Sequence, residues 1–315
     1  MENKLFVNEI GQYLNKEIMN DFLVSQKELR EGTKDFYLRL KLTDKTGSIS
    51  ANVWNNAQTI SEKFKEGDII RIKGIVISYK SQIQITVNKV RVLNEDEYDL
   101  SEFIATSSKD INKLSDKLFQ YIENIKDVHL KKLLLEIFED KDFFKLFLKS
   151  PAAKTWHHNF IGGLIEHTIS VVSICDFVSF LYPVDKDLLI SSALLHDIGK
   201  VYEYNVKSTI DFTPMGRLIG HISLGDQIIY EKAAKINNFP KNTLMKLRHL
   251  ILAHHGEYEK ASVRLPQMLE AIVLHHADNL DAQTVGVKQI IESVQNDKAE
   301  WSEYDVLNNR YYYIK

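Results

Sequence analysis

Residues 1–95 alternate apolar and polar side chains with a period of two. In "DFYLRLKLTDKTGSISANVW", Phe36, Leu38, Leu40 and Leu42 fall on one side, and Tyr37, Arg39 and Lys41 on the other. "DKTG" has turn chemistry, and the alternation resumes with Ile49, Ala51 and Val53. A short helical stretch, "NNAQTISEKF", comes next. "GDIIRIKGIVISYK" and "SQIQITVNKVRVL" then supply two further strands, and residues 18–29 supply the first. From about residue 111 the period changes. "INKLSDKLFQYIENI", "HLKKLLLEIFED" and "DFFKLFLKSP" space their apolar residues as helices do, and several similar segments follow. Residues 94–110, "NEDEYDLSEFIATSSKD", are acidic and then serine-rich, and they read as a linker.

Five strands with a helix between the third and fourth match the order of the OB-fold, a small closed barrel. The expected architecture is an α+β multidomain chain. A small N-terminal all-β OB-fold barrel (1–95) is followed by a linker (96–110) and an all-α domain (111–315). The barrel face opposite the core carries Tyr37, Arg39 and Lys41, with Trp54, Arg71 and Lys73 expected beside them. Cations contact phosphates and aromatic rings stack on bases, so these six are the candidate nucleic-acid-binding residues. Residues 1–94 hold 15 Lys and Arg against 11 Asp and Glu, and the rest of the chain holds 25 against 32. A mildly basic front and an acidic back suit an anion-binding module joined to something else.

The single cysteine, Cys175, excludes an intrachain disulfide and fits a reducing cytoplasm. No window has the length and apolarity of a membrane span, and the charged N-terminus does not read as a signal peptide. A cytoplasmic protein with no membrane partner is expected.

Five helical segments each place a histidine or aspartate on an apolar stripe. His167 lies between Leu164 and Val171, and Asp197 aligns with Ile190, Ala193 and Leu194. His221 is flanked by Leu218 and Leu224, His254 lies over Leu247, Leu250 and Ile251, and Asp278 follows Ala271 and Leu274. Residues at these offsets share a helix face, so the polar groups point inward with the apolar ones. Imidazoles and carboxylates that converge inside a fold are most simply explained by a divalent metal, because unpaired buried charge is costly. A mixed nitrogen and oxygen set suits Mn²⁺, Fe²⁺, Mg²⁺ or Zn²⁺, and the lack of a second cysteine argues against a thiolate zinc site.

The order His167, His196–Asp197, His221, His254, Asp278 resembles the H…HD…H…H…D pattern of the HD-domain metal phosphohydrolases, with "LLHDIGK" close to their central signature. Together with "WHHNFIGGLIEHT", "HHADNLDA" and a preceding OB-fold, it resembles the YhaM family of bacterial 3′-5′ exoribonucleases over nearly the whole chain. The resemblance implies an HD domain over residues 111–315. It also implies two divalent ions: Mn²⁺ first, with Fe²⁺, Mg²⁺ or Co²⁺ as alternatives. His167, His196, Asp197 and Asp278 would hold one ion, and Asp197 would bridge to a second held by His221 and His254. His255 is the alternative ligand to His254, because adjacent helical residues differ by about 100° and the phase is open. Asp197, Lys200 and His158 are the catalytic candidates, Lys200 for phosphoryl charge and His158 for the substrate phosphate or leaving oxygen. Arg264 is a further phosphate candidate. His275 reads as support for the ligands, and His157, His249 and His276 read as surface or packing residues. The terminal "RYYYIK" offers stacking rings.

The implied activity is metal-dependent 3′-5′ hydrolysis of single-stranded RNA, or of single-stranded DNA, to nucleoside 5′-monophosphates. Two alternatives stand beside it: a phosphohydrolase of free or cyclic nucleotides, and a non-catalytic nucleic-acid-binding protein. Assembly into a homo-oligomer stays open.

Overall fold

A computed structural model of the 315-residue chain describes residues 4–32, 35–80, 82–94, 96–206, 209–294 and 299–315. The chain divides into two compact units, one of Met1–Ala105 and one of Thr106–Val206 with Ile210–Lys315.

In the first unit, strands β1 (Glu17–Glu31), β2 (Phe36–Asp44), β3 (Gly47–Val53), β4 (Ile69–Tyr79) and β5 (Gln82–Val92) close into a barrel in the order β1-β2-β3-β5-β4. Helix α1 (Ala57–Ser61) lies between β3 and β4. All ladders are antiparallel except β3 with β5, which pair in parallel through Ser50–Asn52 and Gln84–Thr86. β1 serves two neighbours. Its first half pairs with β4 and its second half with β2, and an irregularity between Val24 and Gln26 lets the strand bend between them. The alternation read from sequence is the alternation of burial. Leu38, Leu40, Leu42, Ile49, Ala51 and Val53 fill the interior with Phe22, Ile70, Ile72, Val76 and Ile85, and burying each large one contributes about 1.5–3 kcal/mol.

The stretch expected as a linker begins on this unit. Leu93 and Phe103 are buried with Leu23 and Ile69, and Tyr98 and Leu100 pack against them.

The second unit is helical: α2 (Ile111–Glu123), α3 (Val128–Phe138), α4 (Lys141–Lys149), α5 (Gly163–Val178), α6 (Lys186–Leu195), α7 (Lys200–Glu203), α8 (Pro214–Ile219), α9 (His221–Ala234), α10 (Lys241–Ala253) and α11 (Leu269–Ser293). Asp110, Asp127, Asp140 and Asp185 cap α2, α3, α4 and α6, their carboxylates accepting N–H groups of the first turns. α5 packs on α6 and α11, and α10 packs on α6, α9 and α11, around one apolar core. The all-α expectation needs one addition, a small hairpin of β6 (Tyr204–Val206) and β7 (Ile210–Phe212). Three-residue strands are too short to show a period. Near the end, Trp301 bridges Tyr313 and Asp305 bridges Arg310, leaving Trp301, Tyr311 and Tyr313 exposed. No helix among the described residues is long and apolar enough to cross a membrane.

Candidate metal centre

The polar residues of the five stripes meet inside the helical unit. His167 lies in the second turn of α5, His196 and Asp197 follow the end of α6, His221 opens α9, His254 and His255 follow α10, and Asp278 lies on α11. Two glycines permit this approach. A Cβ on Gly199 would stand 2.0 Å from the carbonyl oxygen of His221, so only glycine lets α9 come down beside Asp197. A Cβ on Gly163 would stand 1.9 Å from the carbonyl oxygen of His158, where α5 starts.

Two sets of ligand atoms share Asp197. In the first, His167 Nε2 lies 3.2 Å from His196 Nε2, 3.1 Å from Asp278 Oδ1 and 3.4 Å from Asp197 Oδ2. In the second, His221 Nε2 lies 3.4 Å from His255 Nε2, and His221 Nε2 and His254 Nε2 each lie 3.6 Å from Asp197 Oδ1. An ion about 2.1 Å from each nitrogen keeps neighbouring ligand atoms about 3.0–3.4 Å apart, in octahedral or tetrahedral arrangement. Both sets come close to that spacing.

Tautomers carry the argument further. Each of the five histidines turns Nδ1 to an oxygen that can only accept: His167 to Asp281 (2.7 Å), His196 to the Ala193 carbonyl (2.8 Å), His221 to Glu203 (3.0 Å), His254 to the Ile251 carbonyl (2.6 Å) and His255 to the Lys260 carbonyl (2.7 Å). Each Nδ1 therefore carries a proton, and each ring turns its Nε2 inward, where the lone pair is free for a cation: in the metal-free protein the carboxylates hold a proton on that atom of His167, and a bound ion would replace it. Lone pairs aimed at one another and at carboxylate oxygens repel unless a cation stands between them. His254 Nε2 and Asp197 Oδ1 are buried and have no hydrogen-bond partner among the described residues. These donors fit divalent ions, and sequence alone had left His254 and His255 as alternatives where the structure turns both rings into the same space.

The electrostatics follow from this crowding. Burial alone would strip His167 of a second proton, yet Asp197, Asp278 and Asp281 outweigh it and hold its pKa well above the usual histidine value. Burial opposes charge on Asp278 and Asp281 as well, but their histidine partners keep both carboxyls well below the usual range. His255 is pushed down to about 3 by burial and by His254 and His221.

Three residues of the centre escaped the sequence reading. Asp281 accepts from His167, from His158 Nε2 (3.0 Å) and from the Ser170 hydroxyl. It stands one turn beyond Asp278 on the same helix, and that i+3 spacing was the available signal. Glu203 accepts both the backbone N–H and the ring N–H of His221. The third is His157, read as surface or packing. Its ring lies 5.0 Å from that of His167, between centroids, and both of its nitrogens are buried. Burial, together with His167 and Lys200, keeps His157 neutral, its pKa well below the usual value.

Other expectations change. His158, expected at the substrate, is instead buried beside His167, and its Nε2–H is held by Asp281. Lys200 is buried and donates to Asp197 Oδ2 at 2.6 Å. Arg264 is exposed, and its guanidinium forms no ion pair among the described residues. His275 donates from Nδ1 to the His254 carbonyl (2.9 Å), His249 accepts from the Gln267 N–H (3.0 Å), and His276 is exposed.

On the barrel, Tyr37 and Trp54 stack with ring centroids 5.0 Å apart, beside the outward Arg39 and Lys41. Arg71 and Lys73 do not join them. Arg71 is held by Asp21 through two hydrogen bonds of 2.7 and 2.8 Å, and Lys73 pairs with Glu17 at 2.9 Å. Arg39 stands opposite Glu28 and Arg71 opposite Asp21, seven residues apart along β1, or about 23 Å of strand.

Comparison with known proteins agrees with both units. A family model described as an HD domain matches residues 164–283. The chain carries an HD domain. A model described as an OB-fold nucleic acid binding domain matches residues 24–93. HD domains bind divalent metals and are typically metal-dependent phosphohydrolases. Among solved structures, the second OB-fold domain of replication protein A from Methanococcus maripaludis is 22% identical over 30% of this chain and 97% of its own, with a TM-score of 0.25. Asparaginyl-tRNA synthetase from Pyrococcus horikoshii is 17% identical over 39% of this chain and 34% of its own, with a TM-score of 0.26.

Proposed function

We propose that this protein is a metal-dependent 3′-5′ exoribonuclease of the YhaM type, with its HD domain hydrolysing phosphodiester bonds and its barrel holding the single strand. One observation supports the reading: Asp197 presents Oδ2 to His167 and His196 and Oδ1 to His221 and His254, so a single carboxylate would serve both ion sites. Mn²⁺ is the ion we assign, since imidazole-rich sets favour transition metals over Ca²⁺. His167, His196, Asp197 and Asp278 would hold one ion, and His221, His254, His255 and Asp197 the other. Divalent ions held there would lower the pKa of a water and offset charge on the phosphate. The chain's own residues do the rest. Asp281 and Glu203 fix the ring orientations of His167 and His221, and Lys200 fixes the carboxylate of Asp197 while bringing a buried positive charge to the site. On the barrel, the stacked Tyr37 and Trp54 with Arg39 and Lys41 form the surface for bases and phosphates.

The protein with Mn²⁺ and 5′-labelled single-stranded RNA should shorten the label stepwise and release nucleoside 5′-monophosphates, and EDTA should stop it. Changing Tyr37, Arg39 and Trp54 to alanine should raise KM on long RNA about tenfold, since stacking contributes roughly 1–3 kcal/mol per base, and leave a dinucleotide unaffected. Equal loss on both substrates would reject RNA delivery by the barrel and favour a free-nucleotide substrate. Full activity of the metal-free protein in chelator would remove the mechanism.

A further inference from the structure

Two adjacent histidines precede α5, and they differ in one respect. His158 has its Nε2–H on Asp281. Neither ring nitrogen of His157 has a hydrogen-bond partner among the described residues, although both atoms are buried. Native folds rarely leave buried polar atoms unpaired, and each case asks for an explanation. Packing does not supply one, because an apolar ring of similar shape would fill the same space with nothing to desolvate. Nor does ion ligation. Among the described residues, His157 belongs to no set of three whose ligating atoms lie within 4.8 Å of one another, whereas His167, His196 and Asp278 do. The ring stands one step back from that set, beside His167 and close enough to Lys200 and Asp278 to feel their charges.

A group that stands back from the ions and carries a ring N–H is placed for an oxygen that the ions hold. Lys200 spends one of its three N–H donors on Asp197 Oδ2, which leaves the same side of the cluster rich in donors. We propose that His157 is a substrate-positioning residue whose ring N–H donates to a non-bridging oxygen of the phosphate bound at the metal centre. This rests on reading the two clusters as ion sites that receive a phosphoryl group. The ligand chemistry is that of an oxyanion, shared by the scissile phosphodiester, a product monophosphate and inorganic phosphate.

The test uses the full-length Mn²⁺-loaded protein and inorganic phosphate as probe, with calorimetry for affinity and elemental analysis for metal content. His157→Phe keeps the ring and removes the hydrogen bond, and His157→Gln keeps an N–H. Phosphate affinity should fall about tenfold or more in His157→Phe, as expected for a hydrogen bond to a charged group, and recover in part in His157→Gln. Metal content should match wild type in both. The melting temperature of phosphate-free His157→Phe should equal or exceed that of wild type, because unpaired buried nitrogens have been removed. A purely structural His157 would give the reverse: a lower melting temperature and unchanged phosphate affinity. Loss of Mn²⁺ from His157→Gln would make it a ligand and overturn the proposal too. RNA hydrolysis by the wild type separates the two readings. Phosphate binding that depends on His157 without RNA shortening would sink the nuclease alone. RNA shortening with His157→Phe binding phosphate as wild type does would sink this proposal alone.

Discussion

His167 and His196 are fully buried and stand with three aspartates, Asp197, Asp278 and Asp281. His221 and His255 are partly exposed, and the carboxylates nearest them and His254 among the described residues are the far oxygen of Asp197 and, behind His221, Glu203. The first set has two imidazoles and the second three, and they differ further in charge and in bracing. In the first, Asp281 is a single anchor gripping His167, His158 and Ser170 at once, on a long helix. In the second, His255 is fixed by the carbonyl of Lys260, an exposed residue of a short turn. Low dielectric strengthens attraction between an ion and a buried carboxylate. The first set should therefore hold its ion tightly, and the second should exchange its ion more readily and lie nearer the point where substrate enters.

The largest effect should come from the residue that the two sets share. Asp197→Asn keeps the shape and removes the charge, and it should cost more than about 100-fold in RNA hydrolysis, beyond the 10–100-fold typical of a lost supporting partner. Mn²⁺ stoichiometry should fall at both sites while circular dichroism still reports the helical unit. Retention of a tenth of wild-type activity with excess metal would remove the shared carboxylate from the mechanism.

Breaking the comparison on one side comes next. Asp281→Ala should weaken the tighter ion about 10–100-fold and leave the weaker one near its wild-type affinity, as read by Mn²⁺ titration with paramagnetic resonance. Equal weakening of both ions would mean that Asp281 supports the fold as a whole. On the other side, Glu203→Gln keeps one acceptor oxygen but loses the charge, so the weaker ion should lose affinity by roughly tenfold with the tighter one unaffected. If the tighter ion moved instead, the assignment of Glu203 to the second set would be wrong.

Within one pH unit, the smallest effect is a pH dependence. In the metal-free centre the carboxylates hold His167 protonated well above the usual histidine range, so filling the first set must displace a proton. The ion and the proton compete, and apparent affinity should rise with pH by up to about tenfold per unit below the His167 pKa. His255, with its pKa pushed down to about 3, releases no such proton near neutrality. Calorimetry in buffers of different ionisation enthalpy should show proton release with the tighter ion, and its absence would contradict the raised His167 pKa.

Much of the molecule was legible along the chain. The period of two in Leu38, Leu40 and Leu42 became the barrel interior because a strand must bury one face, and strand order then selected the barrel topology. His167, Asp197 and Asp278 were legible because each shares an apolar stripe that packs inward and carries its polar member with it; His196 came with the H…HD…H…H…D resemblance, and the stripe read for His221 does not exist, because Leu218 is exposed on α8 and Gly220 breaks the helix before α9.

What only the tertiary structure decided lies at helix ends and between elements. His254 and His255 follow α10, where the regular 100° step no longer fixes direction, and both rings turn inward because the Ile251 and Lys260 carbonyls take their Nδ1–H groups. His157 and His158 precede α5 in irregular backbone, so periodicity could not show that the second is held by Asp281 and that the first is the unpartnered ring. Arg71 and Lys73 looked as available as Arg39, but the register of β4 on β1 sets Arg71 opposite Asp21 and brings Lys73 to Glu17. Sequence determines which way a side chain faces when its element is regular. Its partner is decided by register and packing, which bring together residues as distant as His167 and Asp281.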